Sequence, residues 1–163
     1  EYPRSNIDID KEQQRLLDHD VILFQFPLFW YSTPSLIKEW QDLVLEHGFA
    51  YGKDGNKLDG KRMMLAIPAA GPEDDYSKTG YQQFPLRTCL TPLEQTAGLC
   101  KMEFTPPYVL FASLRAPKEG LVDPHAKGYR ALLEAVRDDR LDFVDAASKD
   151  VLSFETLPIM EGA

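Results

Sequence analysis

Apolar residues along the chain repeat with two different periods. From Val21 to Phe26 they are nearly continuous and stop at Pro27, the pattern of a strand covered on both faces of a parallel sheet. Met63 to Ile67 repeats it, and a third run from Phe104 to Ala112 is broken early by Pro106 and Pro107. Between these runs the spacing becomes helical. Leu36, Ile37, Trp40, Leu43 and Val44 share one stripe, with Thr33 as cap, Pro34 in the first turn and Gly48 as the stop. Leu86, Cys89, Leu90, Leu93 and Ala97 trace a second stripe, predicted as a helix kinked at Pro92. Tyr129, Leu132, Leu133 and Val136 form a third, in a helix opened by Asp123-Pro124. Ahead of them all, Asp10 to Leu17 predicts a short helix capped by Asp8 or Asp10 and ended by His19-Asp20. Phe49 to Gly60, with Gly52, Asp54-Gly55 and Asp59-Gly60, predicts a small surface hairpin or excursion.

The order helix, strand, helix, strand, helix, strand, helix predicts one open α/β sheet with right-handed crossovers. The 163 residues read as a single domain, with a tail over 139–163 of no firm pattern. Open sheets of this kind bind ligands beyond the carboxyl ends of their strands. Two segments leave strand ends directly, Pro27 to Pro34 and Pro68 to Phe84, and function is expected there.

Composition narrows the partners. With 44% hydrophobic and 27% charged residues the chain is expected to fold, and its net charge of -8 repels a phosphate backbone, which argues against nucleic acid. Cys89 and Cys100 form no CxxC pair, which fits a reduced, cytoplasmic setting, and no apolar run approaches the roughly 20 residues of a membrane span. No GxSxG, Walker, HExxH or GxGxxG motif occurs. His19, His47 and His125 fall near predicted helix ends and read as solvated caps; Glu73-Asp74-Asp75 reads as a solvated acidic loop, so no metal site is expected. What remains is Phe29-Trp30-Tyr31, three large aromatics in a loop after a strand that cannot all enter one core. On composition a ligand platform, a lid over the chain's own core and a subunit contact all stay open.

The run DVILFQFPLFWYSTPSLIKEWQDLVLEHGFAYG, with GKRMMLAIP, AAGPEDDY and the helix around LTPLEQTAGLC, resembles the flavodoxin-like NAD(P)H:quinone oxidoreductases over roughly Asp20 to Ala112. Within them the likeness is nearest to the ancillary subunits of glutathione-gated potassium efflux systems, which also share EYP and EQ-x-x-L-x-x-HD, here Glu1-Tyr2-Pro3 and Glu12 to Asp20. The resemblance implies an open parallel sheet with helices on both faces, bound FMN or FAD, and hydride transfer from NAD(P)H through the flavin to a quinone. The alternative it implies is a regulatory subunit that activates a potassium antiporter with little enzymatic activity, cytoplasmic and peripheral to the inner membrane through that partner. By position, Pro27, Leu28, Phe29, Trp30 and Tyr31 would hold the flavin largely by backbone N–H groups and aromatic packing. Pro68, Ala69, Ala70 and Gly71 match the second flavin loop, and Tyr76 the family tyrosine beside the ring. Phe49 and Tyr51 match residues that complete a partner subunit's pocket, which implies a homodimer.

Three departures qualify this expectation. Pro68-Ala69-Ala70-Gly71 stands where many quinone reductases have Thr-Thr-Gly-Gly, removing two hydroxyls and a glycine. Gln82 stands where the reductases pair a histidine with the tyrosine for proton handling, and an amide does not titrate. The family's opening strand, phosphate loop and helix, a unit of about 30 residues or more, is not found in the 163 residues, so a missing front end, a bare edge at Val21 and weak flavin binding are expected.

Overall fold

In the computed structural model residues 6–161 are described, and Glu1-Tyr2-Pro3 of the efflux-subunit pattern lies outside them. Helix α1 spans Ile9–Asp18; Asp8 caps it by accepting from the Lys11 amide at 3.1 Å. Strand β1 is Val21–Gln25, α2 is Ser35–Val44 and β2 is Arg62–Pro68. Helices α3 (Leu86–Cys89) and α4 (Thr91–Leu99), short strands β3 (Glu103–Phe104) and β4 (Tyr108–Leu110), α5 (Val122–Arg137) and α6 (Phe143–Ala147) follow.

Every pairing between the described strands is parallel. β2 lies at the centre, paired with β1 on one side and with β3 and β4 in succession on the other. Pro106 and Pro107, which lack an N–H, split that side into its two short strands. β2 is covered on both faces, with Met63 through Ile67 all buried. Its alternation divides the core. Met63, Leu65 and Ile67 face Leu16, Val44, Leu90 and Leu93, whereas Met64 faces Tyr108 and Leu132, so helices cover both faces. Each such side chain, fully buried, contributes about 1.5–3 kcal/mol.

Several local expectations are corrected by tertiary context. β1 is half-exposed rather than doubly covered, because among the described strands it forms the sheet's edge. Pro34 is itself the cap of α2, with no side-chain hydrogen bond from Thr33, and the helix ends at Val44, four residues before Gly48. Leu36, Leu43 and Leu133 lie on exposed sides of their helices. The expected kink at Pro92 is a full break into α3 and α4, with Pro92 seated in the first turn of the second, where its missing N–H costs nothing. Phe49 to Gly60 is no mere surface excursion: Ala50 and Leu58 turn inward and are completely buried.

The tail has definite structure. Leu152 forms a parallel bridge to Tyr108, and its N–H and C=O pair with Pro107 and Val109, covering the outer edge of β4. Asp142 caps α6 and Leu141 bridges Ile159. His125 is not a solvated cap either. Its ring stacks on Tyr108 at 4.5 Å between centroids, and its buried Nδ1 has no partner among the described residues. Burial holds the His125 imidazole below its ordinary pKa and pushes the Tyr108 phenol up to about 12.

Candidate functional site

The two segments that leave strand ends meet. β1 and β2 are in parallel register, so Pro27–Pro34 and Pro68–Phe84 emerge side by side, and the Leu28 amide donates to the Pro68 carbonyl at 3.1 Å. Beyond that bond the first loop folds into a two-residue hairpin. Phe29 and Ser32 exchange both main-chain hydrogen bonds, at 3.0 and 2.9 Å. Trp30 and Tyr31 occupy its centre at φ of 48° and 62°, the left-handed pair of a type I′ turn that Asn-Gly ordinarily fills. Two bulky residues there cost of order 1–2 kcal/mol each. In return the turn shows all three aromatics to solvent: Phe29 and Tyr31 are each 55% exposed and Trp30 93%.

Leu28, Trp30, Tyr31, Ala70, Gly71, Tyr76 and Gln82 line one cavity of about 190 Å³. A second, of about 350 Å³, adjoins it and is lined by Tyr31, Gln82, Phe84 and Cys89, so Tyr31 and Gln82 stand between the two. The other expected site residues fall elsewhere. Pro27, Phe29 and Pro68 flank the cavity without lining it, and the Ala69 side chain is fully buried. Phe49 and Tyr51 pack against the core, and Tyr51 lines a separate groove with Gln41 and Leu99.

The backbone hydrogen bonds sort the loop amides into two groups. Leu28 and Phe29 spend theirs on Pro68 and Ser32, and Ala69 donates to Leu110. The amides of Trp30, Tyr31 and Ala70 make no backbone hydrogen bond among the described residues, and all three belong to residues that line the cavity; the Gly71 amide, also in the wall, faces the Tyr76 phenol. A flat ring with acceptor atoms along its edge fits such a slot, with aromatic faces for walls and main-chain donors on both sides. Gly71 is needed at close quarters: a Cβ there would lie 3.2 Å from Tyr76 Cε2 and 3.3 Å from Asp75 Oδ2.

Tyr76 leans on Phe111 at 5.7 Å. Burial raises its phenol above the ordinary value, opposed in part by the Gly71 main chain, so it is a protonated donor at neutral pH. Burial likewise pushes up the Cys89 thiol. Gln82 is anchored by its own amide, which donates to the Asp75 carbonyl at 2.9 Å. Neither cavity wall carries a His, Asp, Glu, Lys or Arg side chain. Phe84 and Cys89 are the residues that sequence reasoning missed. Cys89 was absorbed into a helical stripe, and Phe84, the lone large aliphatic or aromatic residue between Tyr81 and Leu86, was the available signal.

Comparison with known proteins agrees with the fold. Residues 1–133 match the family model described as flavodoxin-like fold. An uncharacterized NAD(P)H oxidoreductase of Bacillus subtilis, YrkL, is 45% identical over 119 residues, covering 73% of this chain and 68% of its own length. The glutathione-regulated potassium-efflux system ancillary protein KefG of Cronobacter sakazakii is 42% identical, covering 81% of this chain and 71% of its own. Among solved structures, general stress protein 14 of Treponema denticola in complex with FMN is 36% identical with a TM-score of 0.75, over 82% of this chain and 76% of that one.

Proposed function

The chain belongs to the flavodoxin-like fold family, and on that footing we propose that it is a flavin-dependent oxidoreductase that takes hydride from NAD(P)H and passes it to a quinone. The observation that carries the reading is the strained turn at Trp30-Tyr31, which sets unpaired amides and aromatic faces beside Gly71 and Tyr76. A flavin held there, FMN by analogy with the Treponema denticola complex, supplies reversible two-electron chemistry. The chain's own residues bind and orient. The Trp30, Tyr31 and Ala70 amides would donate to acceptor atoms along the ring edge. Tyr31 and Phe84 present aromatic surface to a planar acceptor, and the Gln82 amide with the Tyr76 hydroxyl donates to its carbonyl oxygens. Gln82 cannot deliver a proton, so the one proton that accompanies the hydride reaches the product from Tyr76 or from water.

Support for a homodimer comes from Phe49 and Tyr51, which lie away from their own chain's cavity and match positions that complete a partner's pocket. The test is to purify the protein and measure flavin absorbance and NAD(P)H-driven naphthoquinone reduction. Turnover once FMN or FAD is supplied is expected; a colourless protein that ignores added FMN and FAD refutes the reading.

A second reading is favoured by Gln82 and by the 42% identity to KefG: an ancillary subunit of a potassium efflux antiporter, cytoplasmic and held at the membrane by that partner. No helix among the described residues is long and apolar enough to cross a membrane by itself. Co-purification with a glutathione-gated antiporter, retained when turnover is abolished, is the outcome that separates it from the first.

A further inference from the structure

The acceptor's charge is legible in the walls. Resting on the oxidoreductase reading, we infer that the paired cavities select uncharged planar acceptors over anionic ones, and that Asp75 sets much of that preference. A third space of about 510 Å³ adjoins the ring slot through Tyr76 and is lined also by Glu73 and Asp74. No Lys or Arg lines any of the three spaces. Lys78, in the same loop, is exposed and lines none of them. Arg87 is the nearest cation in sequence to Cys89, and it is engaged by the Glu94 carboxylate at 2.8 and 3.2 Å and by the Lys149 carbonyl at 3.2 Å.

The Asp75 carboxylate is not in the slot's wall but stands beside Gly71, which is. Its Oδ2 is 3.3 Å from the point where a side chain on Gly71 would begin, and it adds to the forces that raise the Tyr76 phenol. The walls nearest a bound acceptor are Tyr31, Phe84, Cys89 and the neutral Gln82 amide, which solvate a carbonyl but offer no counter-charge to a sulfonate or carboxylate. A chain of net charge -8 adds a repelling background that salt screens. A single nearby carboxylate, at an effective dielectric between those of water and the protein surface, weakens the binding of an anion by about three- to tenfold.

The experiment uses 1,4-naphthoquinone and its 2-sulfonate, titrated against the purified protein and followed by quenching of the Trp30 fluorescence, with Trp30→Phe identifying that signal. The sulfonate is expected to bind at least about fivefold more weakly in low salt, with the gap narrowing at about 0.3 M salt. Asp75→Asn should narrow it about threefold, and Glu73→Gln with Asp74→Asn, both exposed, should move it the same way by less. A gap caused by the bulk of the sulfonate would survive both substitutions and salt. That result, or equal affinity for the two quinones, overturns the charge inference and leaves the oxidoreductase reading standing. Failure of both quinones to bind overturns both. Binding with the expected gap but without flavin turnover overturns the oxidoreductase reading alone.

Discussion

Replacing Trp30 with asparagine should raise stability and lower flavin affinity together. Trp30 is 93% exposed, so under a tenth of its surface is covered. Of about 250 Å² for a large aromatic, that is under ~20 Å², or about 0.5 kcal/mol at about 25 cal/mol per Å². Against this small loss stands the relief of a φ of 48°, which costs an ordinary L-residue about 1–2 kcal/mol and asparagine much less. The net expectation for the ligand-free protein is a gain of about 0.5–1.5 kcal/mol. At about 2–4 °C per kcal/mol for a chain of this size, the melting temperature rises by about 1–6 °C. Loss of the ring as a cavity wall should weaken FMN by about tenfold, since an aromatic stacking contact contributes about 0.5–1.5 kcal/mol beyond its area. Calorimetry without flavin and a fluorescence titration with FMN read the two quantities separately. A melting temperature that falls by more than ~2 °C refutes the strain argument, and an unchanged FMN affinity refutes the placement of the ring against this turn.

Further outcomes follow from the same contacts. Gly128→Ala would put its Cβ 2.5 Å from Phe154 Cβ and 2.6 Å from the Tyr108 hydroxyl, so the tail must shift. A loss of about 1–3 kcal/mol in urea unfolding is expected despite alanine's better helix propensity. His125 has a lowered folded-state pKa, so the unfolded chain takes up its proton first. Stability should be full above about pH 6.5 and decline as pH falls below it, and His125→Gln should flatten that decline in urea midpoints compared at pH 7.5 and 5.5. With burial raising both Tyr76 and Cys89 and no carboxylate, lysine, arginine or histidine in the two cavity walls, quinone turnover should vary little between pH 6 and 8. Gln82→His should introduce a titrating limb near pH 6–7, visible in kcat/KM profiles.

The site was legible where local chemistry dictates exposure. Three consecutive aromatics after a strand-ending proline cannot be buried together, and they are not. Tyr76 and Gln82 were reached through resemblance, since nothing in their spacing separates them from other loop residues. Which amides stay unpaired was invisible, because Leu28 and Phe29 lose theirs to Pro68 and Ser32 across a turn whose left-handed dihedrals no propensity for Trp or Tyr foretells.

The amino-acid order by itself determined the elements and their class: continuous apolar runs and period-3.6 stripes are local, and they suffice for a parallel sheet with helices on both faces. Only the tertiary structure decided that β1 is an edge, that Ala50 and Leu58 turn inward, that the tail closes the side of β4, and that Asp75 stands against Gly71. Each of these depends on which distant residue comes to lie alongside, and such pairings are set by how the whole core packs rather than by the preferences of neighbours in the chain.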